Sequence, residues 1–93
     1  MLAVKLASLG MAAKDLKKRE LELRKQFGLR LRLLRLEARL SQEALGDLAE
    51  LEAAYISGVE RAERNLTLRN IGRLADALNL PIQTLFDFRG VAK

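Results

Sequence analysis

Between Leu29 and Phe86, apolar residues recur every three or four positions in successive short segments, and this spacing most constrains the fold. Such spacing places apolar side chains on one face of an α-helix. The chain has one Pro and only 4% aromatic residues, which favours short amphipathic helices over a β-rich fold. We therefore predict an all-α fold without a sheet.

Residues 12–26 are good helix formers. Their helix carries a narrow apolar stripe, formed by Leu16, Leu23 and Phe27. We predict that this helix ends near Gly28. An isolated helix of this length is marginal in water, so it needs a surface to pack against.

The spacing of apolar residues over 29–40 predicts a second helix with two adjacent apolar faces. The first face carries Leu31, Leu34 and Ala38. The second face carries Leu29, Leu33, Leu36 and Leu40. This arc is wider than one domain core requires, so we expect the N-terminal helix or another subunit to cover the second face. The remaining side carries a basic stripe of Arg32, Arg35 and Arg39.

Ser41 is a good N-cap for a helix over 42–49, and a polar break at 50–52 precedes another short helix over about 53–62. Thr67 caps the next helix, which is predicted to stop at Asn79. The inner face of this helix carries Leu68, Ile71, Leu74, Ala75 and Leu78. A last short helix begins at Pro81, with Leu85 and Phe86 predicted to face inward.

The charge is asymmetric along the chain. Residues 1–39 hold eleven Lys and Arg against four Asp and Glu, whereas residues 40–93 hold six against eight. A basic face favours polyanions such as nucleic acid, although a solvated helix surface has the same composition.

The absence of Cys and His excludes thiolate catalysis, Ser–His or Cys–His arrangements, disulfides and the usual zinc sites. No G-x-x-x-x-G-K phosphate loop occurs. The opening residues lack the unbroken apolar run of a signal peptide, and no stretch approaches the ~20 apolar residues of a membrane span. We expect a cytoplasmic protein with no membrane contact, no enzymatic activity, no cofactor and no metal.

The two short helices over 42–49 and 53–62, joined by about three residues, have the arrangement of a helix-turn-helix, which presents its second helix to the major groove of DNA. Any small bundle contains short helix pairs. Spacing alone therefore does not distinguish this motif from a generic bundle.

Residues 28–88 resemble the Cro/phage-repressor helix-turn-helix family. The matching residues fall in order over several helices: Leu31, Leu34-Arg35, Leu40-Ser41-Gln42-Glu43, Leu45, Tyr55-Ile56-Ser57, Val59-Glu60-Arg61, Arg64-Asn65, Leu68, Ile71, Ala75, Ala77-Leu78 and Leu85-Phe86. The stretch YISGVERAERNLTLRNI is especially similar to the controller proteins of restriction-modification systems, which are small dimeric transcription factors. The resemblance implies a compact lambda-repressor-like DNA-binding domain of four to five helices with an extra N-terminal helix. The corresponding division is a basic extension (1–27), the helix-turn-helix domain (28–88) and a tail (89–93).

The resemblance also implies roles for individual residues. Gln42 matches a glutamine that touches the DNA backbone, and Arg35 and Glu60 match a structural salt bridge between the first and third helices of the domain. The positions that read bases or brace the sugar-phosphate chain are Ala53, Ala54, Tyr55, Ser57 and Gly58. Arg64 and Asn65 match the phosphate-gripping loop. Arg61 is a further DNA-binding candidate, and Arg32 and Arg39 are candidate phosphate contacts.

Four positions depart from the family pattern. Glu50 stands in the turn where Gly is usual, and Glu52 stands where Ser, Thr or His begins the next helix. Ala53 and Ala54 can touch only a thymine methyl, whereas Arg, Gln and Asn make bidentate contacts with bases. Two acids near the groove also oppose phosphates.

Three interpretations remain: a regulator relying on Tyr55, Ser57, Arg61, Arg64 and DNA shape, a binder of low specificity, or a relative that has moved to protein partners. We favour the first, a sequence-specific regulator of double-stranded DNA that acts as a homodimer. The alternative is a protein-interaction or antitoxin-type protein, binding a partner through the leucine-rich second face and Phe88.

Overall fold

The computed structural model describes Gly10 and residues 12–91. These residues form four α-helices and a short 3₁₀ helix, and they contain no strand. In chain order the elements are α1 (Ala13–Glu37), α2 (Gln42–Ala49), α3 (Ala53–Glu60), α4 (Leu68–Leu78) and the 3₁₀ helix (Ile82–Phe86). The predicted all-α fold is confirmed. Parts of the predicted extension and tail, residues 1–9, 11, 92 and 93, lie outside the described residues.

The predicted helix end near Gly28 is wrong, because α1 runs without interruption past this residue. Gly28 is buried where α1 crosses α3. A Cβ atom at this position would lie 2.5 Å from the carbonyl oxygen of Val59 and 2.8 Å from that of Glu60. Gly28 therefore serves the close approach of two helices rather than the termination of one.

Because α1 is continuous, its N-terminal half does not cover the second apolar face. Leu33 and Leu36 on this face are 44% and 50% exposed. A single helix cannot fold back on its own C-terminal half, so residues 13–27 do not cover them. The expectation that the segment over 12–26 does so is wrong for the described residues.

Side-chain caps begin α2 and α4 as predicted. The Ser41 hydroxyl accepts a hydrogen bond from the Ala44 amide at 2.9 Å at the start of α2. The Thr67 hydroxyl accepts one from the Asn70 amide at 3.1 Å at the start of α4. Asn79 then ends α4 in the left-handed conformation, with φ 56°. These contacts satisfy backbone groups that lack partners at helix ends.

The core lies where the four α-helices and the 3₁₀ helix meet. Its fully buried large side chains are Leu31, Leu45, Ile56, Val59, Leu74 and Leu85. Two predicted inward positions are wrong: Leu68 is 78% exposed in the first turn of α4, and Phe86 is 48% exposed. Phe86 still packs against Phe27, with ring centroids 5.3 Å apart.

Among the helices described, none combines the length and apolar character needed to span a membrane. Over the same part of the chain, no group of three or more Asp and Glu residues is arranged to hold a metal ion.

Candidate nucleic-acid interface

Helices α2 and α3 are joined by the three residues Glu50, Leu51 and Glu52. Glu50 adopts the left-handed conformation (φ 57°, ψ 44°), and the Leu51 amide donates to the Gly46 carbonyl at 2.9 Å. Gly46 packs against the turn so closely that a Cβ atom there would overlap the Leu51 carbonyl oxygen. Helices α2 and α3 are therefore joined by the tight turn of a helix-turn-helix, although a glutamate occupies the left-handed position.

A buried ion pair fixes the C-terminal end of α3 to α1. Arg35 donates to Glu60 through Nε at 2.6 Å and through Nη2 at 2.9 Å, and its Nη1 donates to the Leu40 carbonyl at 2.9 Å. The two side chains are only 9% and 5% exposed. The hydrogen bonds to Glu60 raise the pKa of Arg35, which remains charged. This bidentate arrangement fixes direction as well as distance.

Gln42 joins the same network from the first turn of α2. Its Nε2 donates to Glu60 Oε1 at 3.2 Å, and the residue is half-buried. The carboxylate of Glu60 thus connects α1, α2 and α3, and it orients the two helices of the motif relative to each other.

The N-terminal end of α3 is built differently. Glu52 occupies the N-cap position but makes no side-chain capping hydrogen bond. Ala53 is half-buried and Ala54 is exposed. An open groove beside them is lined by carboxylate side chains, from Glu43, Asp47, Glu50 and Glu52. This acidic end of the motif repels phosphates.

The middle of α3 meets the loop that follows it. The Tyr55 hydroxyl donates to the Asn65 carbonyl at 3.3 Å, and the Arg64 guanidinium lies 5.7 Å from the Tyr55 ring centroid. The stem of Arg64 packs against Gly58. The structure therefore brings Tyr55, Gly58, Arg64 and Asn65 together on one side of α3.

Arg61 is engaged with its neighbours at the end of α3. It donates to Glu63 through Nε at 3.2 Å and Nη2 at 3.0 Å, and it also contacts the Ser57 hydroxyl. The hydrogen bonds lower the pKa of Glu63 and raise that of Arg61. Both side chains are exposed, so the ion pair is weak. Arg61 can therefore release Glu63 and bind a phosphate instead.

The two candidate phosphate contacts near the end of α1, Arg32 and Arg39, are both exposed. Arg39 has φ 60° in the segment that leads into α2. The basic stripe is therefore divided, because Arg35 is buried in the ion pair with Glu60 while the other two arginines face solvent.

Sequence reasoning missed two arginines that brace this region. Arg73 of α4 donates to the Glu50 carbonyl at 3.4 Å and so supports the turn. Arg30 donates to the Thr84 carbonyl at 3.0 Å and ties α1 to the 3₁₀ helix. Their partners lie 23 and 54 residues away, and no local pattern signals such contacts.

The family model described as a helix-turn-helix domain matches residues 26–87. Control protein C.BamHI of Bacillus amyloliquefaciens is 40% identical over 63 residues, which cover 67% of this chain and 78% of the relative. Control protein C.SmaI of Serratia marcescens is 44% identical over 52 residues, which cover 56% of this chain and 62% of the relative.

A solved structure agrees with these relatives. The restriction-modification controller protein C.AhdI from Aeromonas hydrophila shares the fold with a TM-score of 0.67 and 48% identity, over 68% of this chain and 96% of that protein. The all-helical domain and its tight turn define a helix-turn-helix protein. The chain belongs to the helix-turn-helix family and, within it, is homologous to the control proteins of restriction-modification systems. The resemblance found in the sequence is confirmed.

Proposed function

We propose that the chain is a sequence-specific regulator of transcription that binds double-stranded DNA as a homodimer, with α3 in the major groove. The observation that carries this proposal is the Arg35–Glu60–Gln42 network, which fixes the C-terminal end of α3 to α1 and α2. On α3 itself, Ala54 is exposed and Tyr55 and Ser57 are only half-buried. A helix presented in this way can enter a groove without reorganisation of the domain. The relatives, which are named as control proteins, support the regulatory role.

We assign affinity and specificity to different residues. Arg64, Asn65 and Gln42 face phosphates, with Arg32 and Arg39 as further contacts. Tyr55, Ser57 and Arg61 supply base contacts, and sequence-dependent DNA shape supplies the rest. Ala53 and Ala54 contribute at most contacts with thymine methyl groups. This division predicts strong dependence on salt and moderate discrimination between sequences.

Selection of bound sequences from a random duplex pool tests the proposal directly. We expect an enriched palindromic site, whose affinity falls steeply with salt because counterions are released. Binding of the enriched and of a scrambled duplex at two salt concentrations separates specific from general attraction. If no sequence is enriched and no duplex binds at low salt, the proposal is wrong.

The homodimer is part of the proposal. We place its interface at residues 80–88, where Phe86 is 48% exposed. A two-fold axis there would set the two copies of α3 about 34 Å apart, the spacing of successive major grooves. Sedimentation at tens of micromolar protein, a concentration chosen for roughly micromolar association, is expected to show a dimer. A monomer under these conditions would contradict the assignment.

One observation favours a second candidate function. Leu33 and Leu36 form an exposed apolar pair on α1, as a surface for a protein partner would require. In that case the chain is a protein-interaction or antitoxin-type relative with weak DNA binding. Failure of duplex binding at low salt would favour this second function.

The proposal includes no catalytic step and no cofactor. It places the chain in the cytoplasm. The control-protein relatives support a role without catalysis, since their names describe regulators rather than enzymes.

A further inference from the structure

Gly58 lies within α3, where a glycine is unfavourable compared with alanine by about 1 kcal/mol. The space that its missing side chain leaves is filled by Arg64. A Cβ atom on Gly58 would lie 2.6 Å from Cγ of Arg64, 3.3 Å from Nε and 3.5 Å from Cδ. The glycine therefore forms a slot on α3 in which the arginine stem lies.

Tyr55 forms the other wall of this slot. It precedes Gly58 by three residues, and residues at this spacing are neighbours on a helix surface. The Arg64 guanidinium lies over its ring, 5.7 Å from the centroid. The Tyr55 hydroxyl also holds the loop by donating to the Asn65 carbonyl at 3.3 Å. The stem and the head of Arg64 are thus both guided by α3.

We propose that Gly58 and Tyr55 are positioning residues that hold Arg64 in advance in the conformation in which it binds a phosphate of the duplex. This inference rests on the proposed DNA-binding function. It adds an explanation of how Arg64 is oriented for its phosphate contact. A long arginine side chain loses rotamer freedom when it binds, and a side chain that is already ordered loses less. The rigid guanidinium plane then meets the phosphate in a bidentate geometry.

Gly58→Ala is the decisive variant. Its new methyl group meets the Arg64 side chain, with Cγ the nearest atom, rather than backbone. We therefore expect a rotation of Arg64 about its first side-chain bonds to take it out of the slot while α3 is retained. Gly72→Ala is the matched control, because Gly72 also lies in a helix but a Cβ atom there would have no neighbour within 4 Å. Arg64→Ala removes the contact itself.

Binding to the duplex enriched from the pool gives the first measurement. We expect Gly58→Ala and Arg64→Ala each to weaken binding about tenfold, the size of one charge-assisted contact. The slope of log affinity against log salt concentration should fall in each variant by the amount expected for about one phosphate contact. The double variant should bind like Arg64→Ala alone, because the two changes remove the same contact. Gly72→Ala should bind like the parent.

Tyrosine fluorescence gives a measurement without DNA. The sequence contains one Tyr and no Trp, so the emission reports on Tyr55 alone. Gly58→Ala and Arg64→Ala should change this emission in the same way, whereas Gly72→Ala should leave it as in the parent. Circular dichroism should show the same helix content in all three variants.

Two results would overturn the inference. The first is unchanged emission and unchanged DNA affinity in Gly58→Ala, which would show that Arg64 needs no slot. The second is a loss in the double variant equal to the product of the single losses, which would mean that Gly58 acts independently of Arg64. Both outcomes are distinct from failure of the proposed function, in which the parent protein binds no duplex from the pool.

Discussion

The two ends of α3 are held in opposite ways. At the C-terminal end, Glu60 is 5% exposed and bonded to Arg35, and Gly28 admits the α3 backbone close to α1. At the N-terminal end, Glu52 makes no capping hydrogen bond and Ala54 is exposed. The comparison shows that the contacts that place the helix are concentrated at its C-terminal end and leave its N-terminal end open to substitution. We therefore expect substitutions at the exposed end to have little effect on the fold, whatever they do to DNA binding.

The largest expected effect comes from breaking the anchored end. Arg35→Ala leaves Glu60 buried without its partner, so we expect a loss of about 3 to 5 kcal/mol in the free energy of unfolding. Arg32→Ala, three residues earlier on the same helix, removes an exposed arginine and should change it by less than about 0.5 kcal/mol. Urea denaturation measures both. Equal losses would show that the ion pair does not anchor α3.

The helix crossing gives the next largest effect. Gly28→Ala places a methyl group against the backbone carbonyls of Val59 and Glu60, so we expect destabilisation by about 1 to 3 kcal/mol. Gly72→Ala, in open space on α4, should instead stabilise by about 0.5 to 1 kcal/mol. Thermal unfolding of both variants compares the two sites. A stabilising Gly28→Ala would mean that α1 and α3 can separate at little cost.

Changes at the exposed end should act on DNA binding instead. The triple variant Glu52→Ser, Ala53→Arg, Ala54→Thr adds donors and removes a repelled charge, so we expect affinity to rise roughly tenfold to a hundredfold. New base contacts would favour the enriched duplex, whereas general attraction would raise binding to every duplex and steepen the salt slope.

The control for this variant is Asp76→Ser, which removes an exposed acid from α4. If the folded triple variant binds both duplexes as the parent does, residues 52–54 do not face the groove. The exposed end would then belong to a protein interface or to the dimer.

The smallest effect concerns the turn that joins the motif. Glu50 has φ 57°, and a left-handed conformation costs an ordinary residue about 1 to 2 kcal/mol. Glycine avoids that cost but loses about 0.5 to 1 kcal/mol through backbone entropy. Glu50→Gly should therefore stabilise by about 0.5 kcal/mol. The control, Glu43→Gly in the first turn of α2, should destabilise by about 0.5 to 1 kcal/mol. Urea denaturation measures both variants, and the opposite order of stability would contradict this explanation of the turn.

Local chemistry explains what the sequence predicted well. Ser41, Thr67 and Asn79 mark helix ends because their side chains or backbone conformations act on residues nearby. Gly28 was misassigned because a glycine can end a helix or admit another helix, and only the packing partner distinguishes the two. The exposure of Leu68 has the same origin, since helical spacing defines a face but not how far the core extends along it.

The candidate site was predictable to a similar extent. Its residue types and order were recognisable through the resemblance, and the three-residue turn followed from spacing. The engagement of Arg61 with Glu63 and the slot for Arg64 depend on side-chain directions at the end of α3. No helical period specifies those directions, because the loop that carries Arg64 is irregular.

The continuity of α1 has a consequence for local motion. Its N-terminal turns expose Leu16 and Leu23, whereas its C-terminal turns bury Leu31 and Leu34. Opening of the first turns breaks only local hydrogen bonds, while opening of the last turns requires the domain to unfold. Amide hydrogen exchange should therefore slow progressively along this one helix, from near the rate of a frayed end to the rate set by global unfolding.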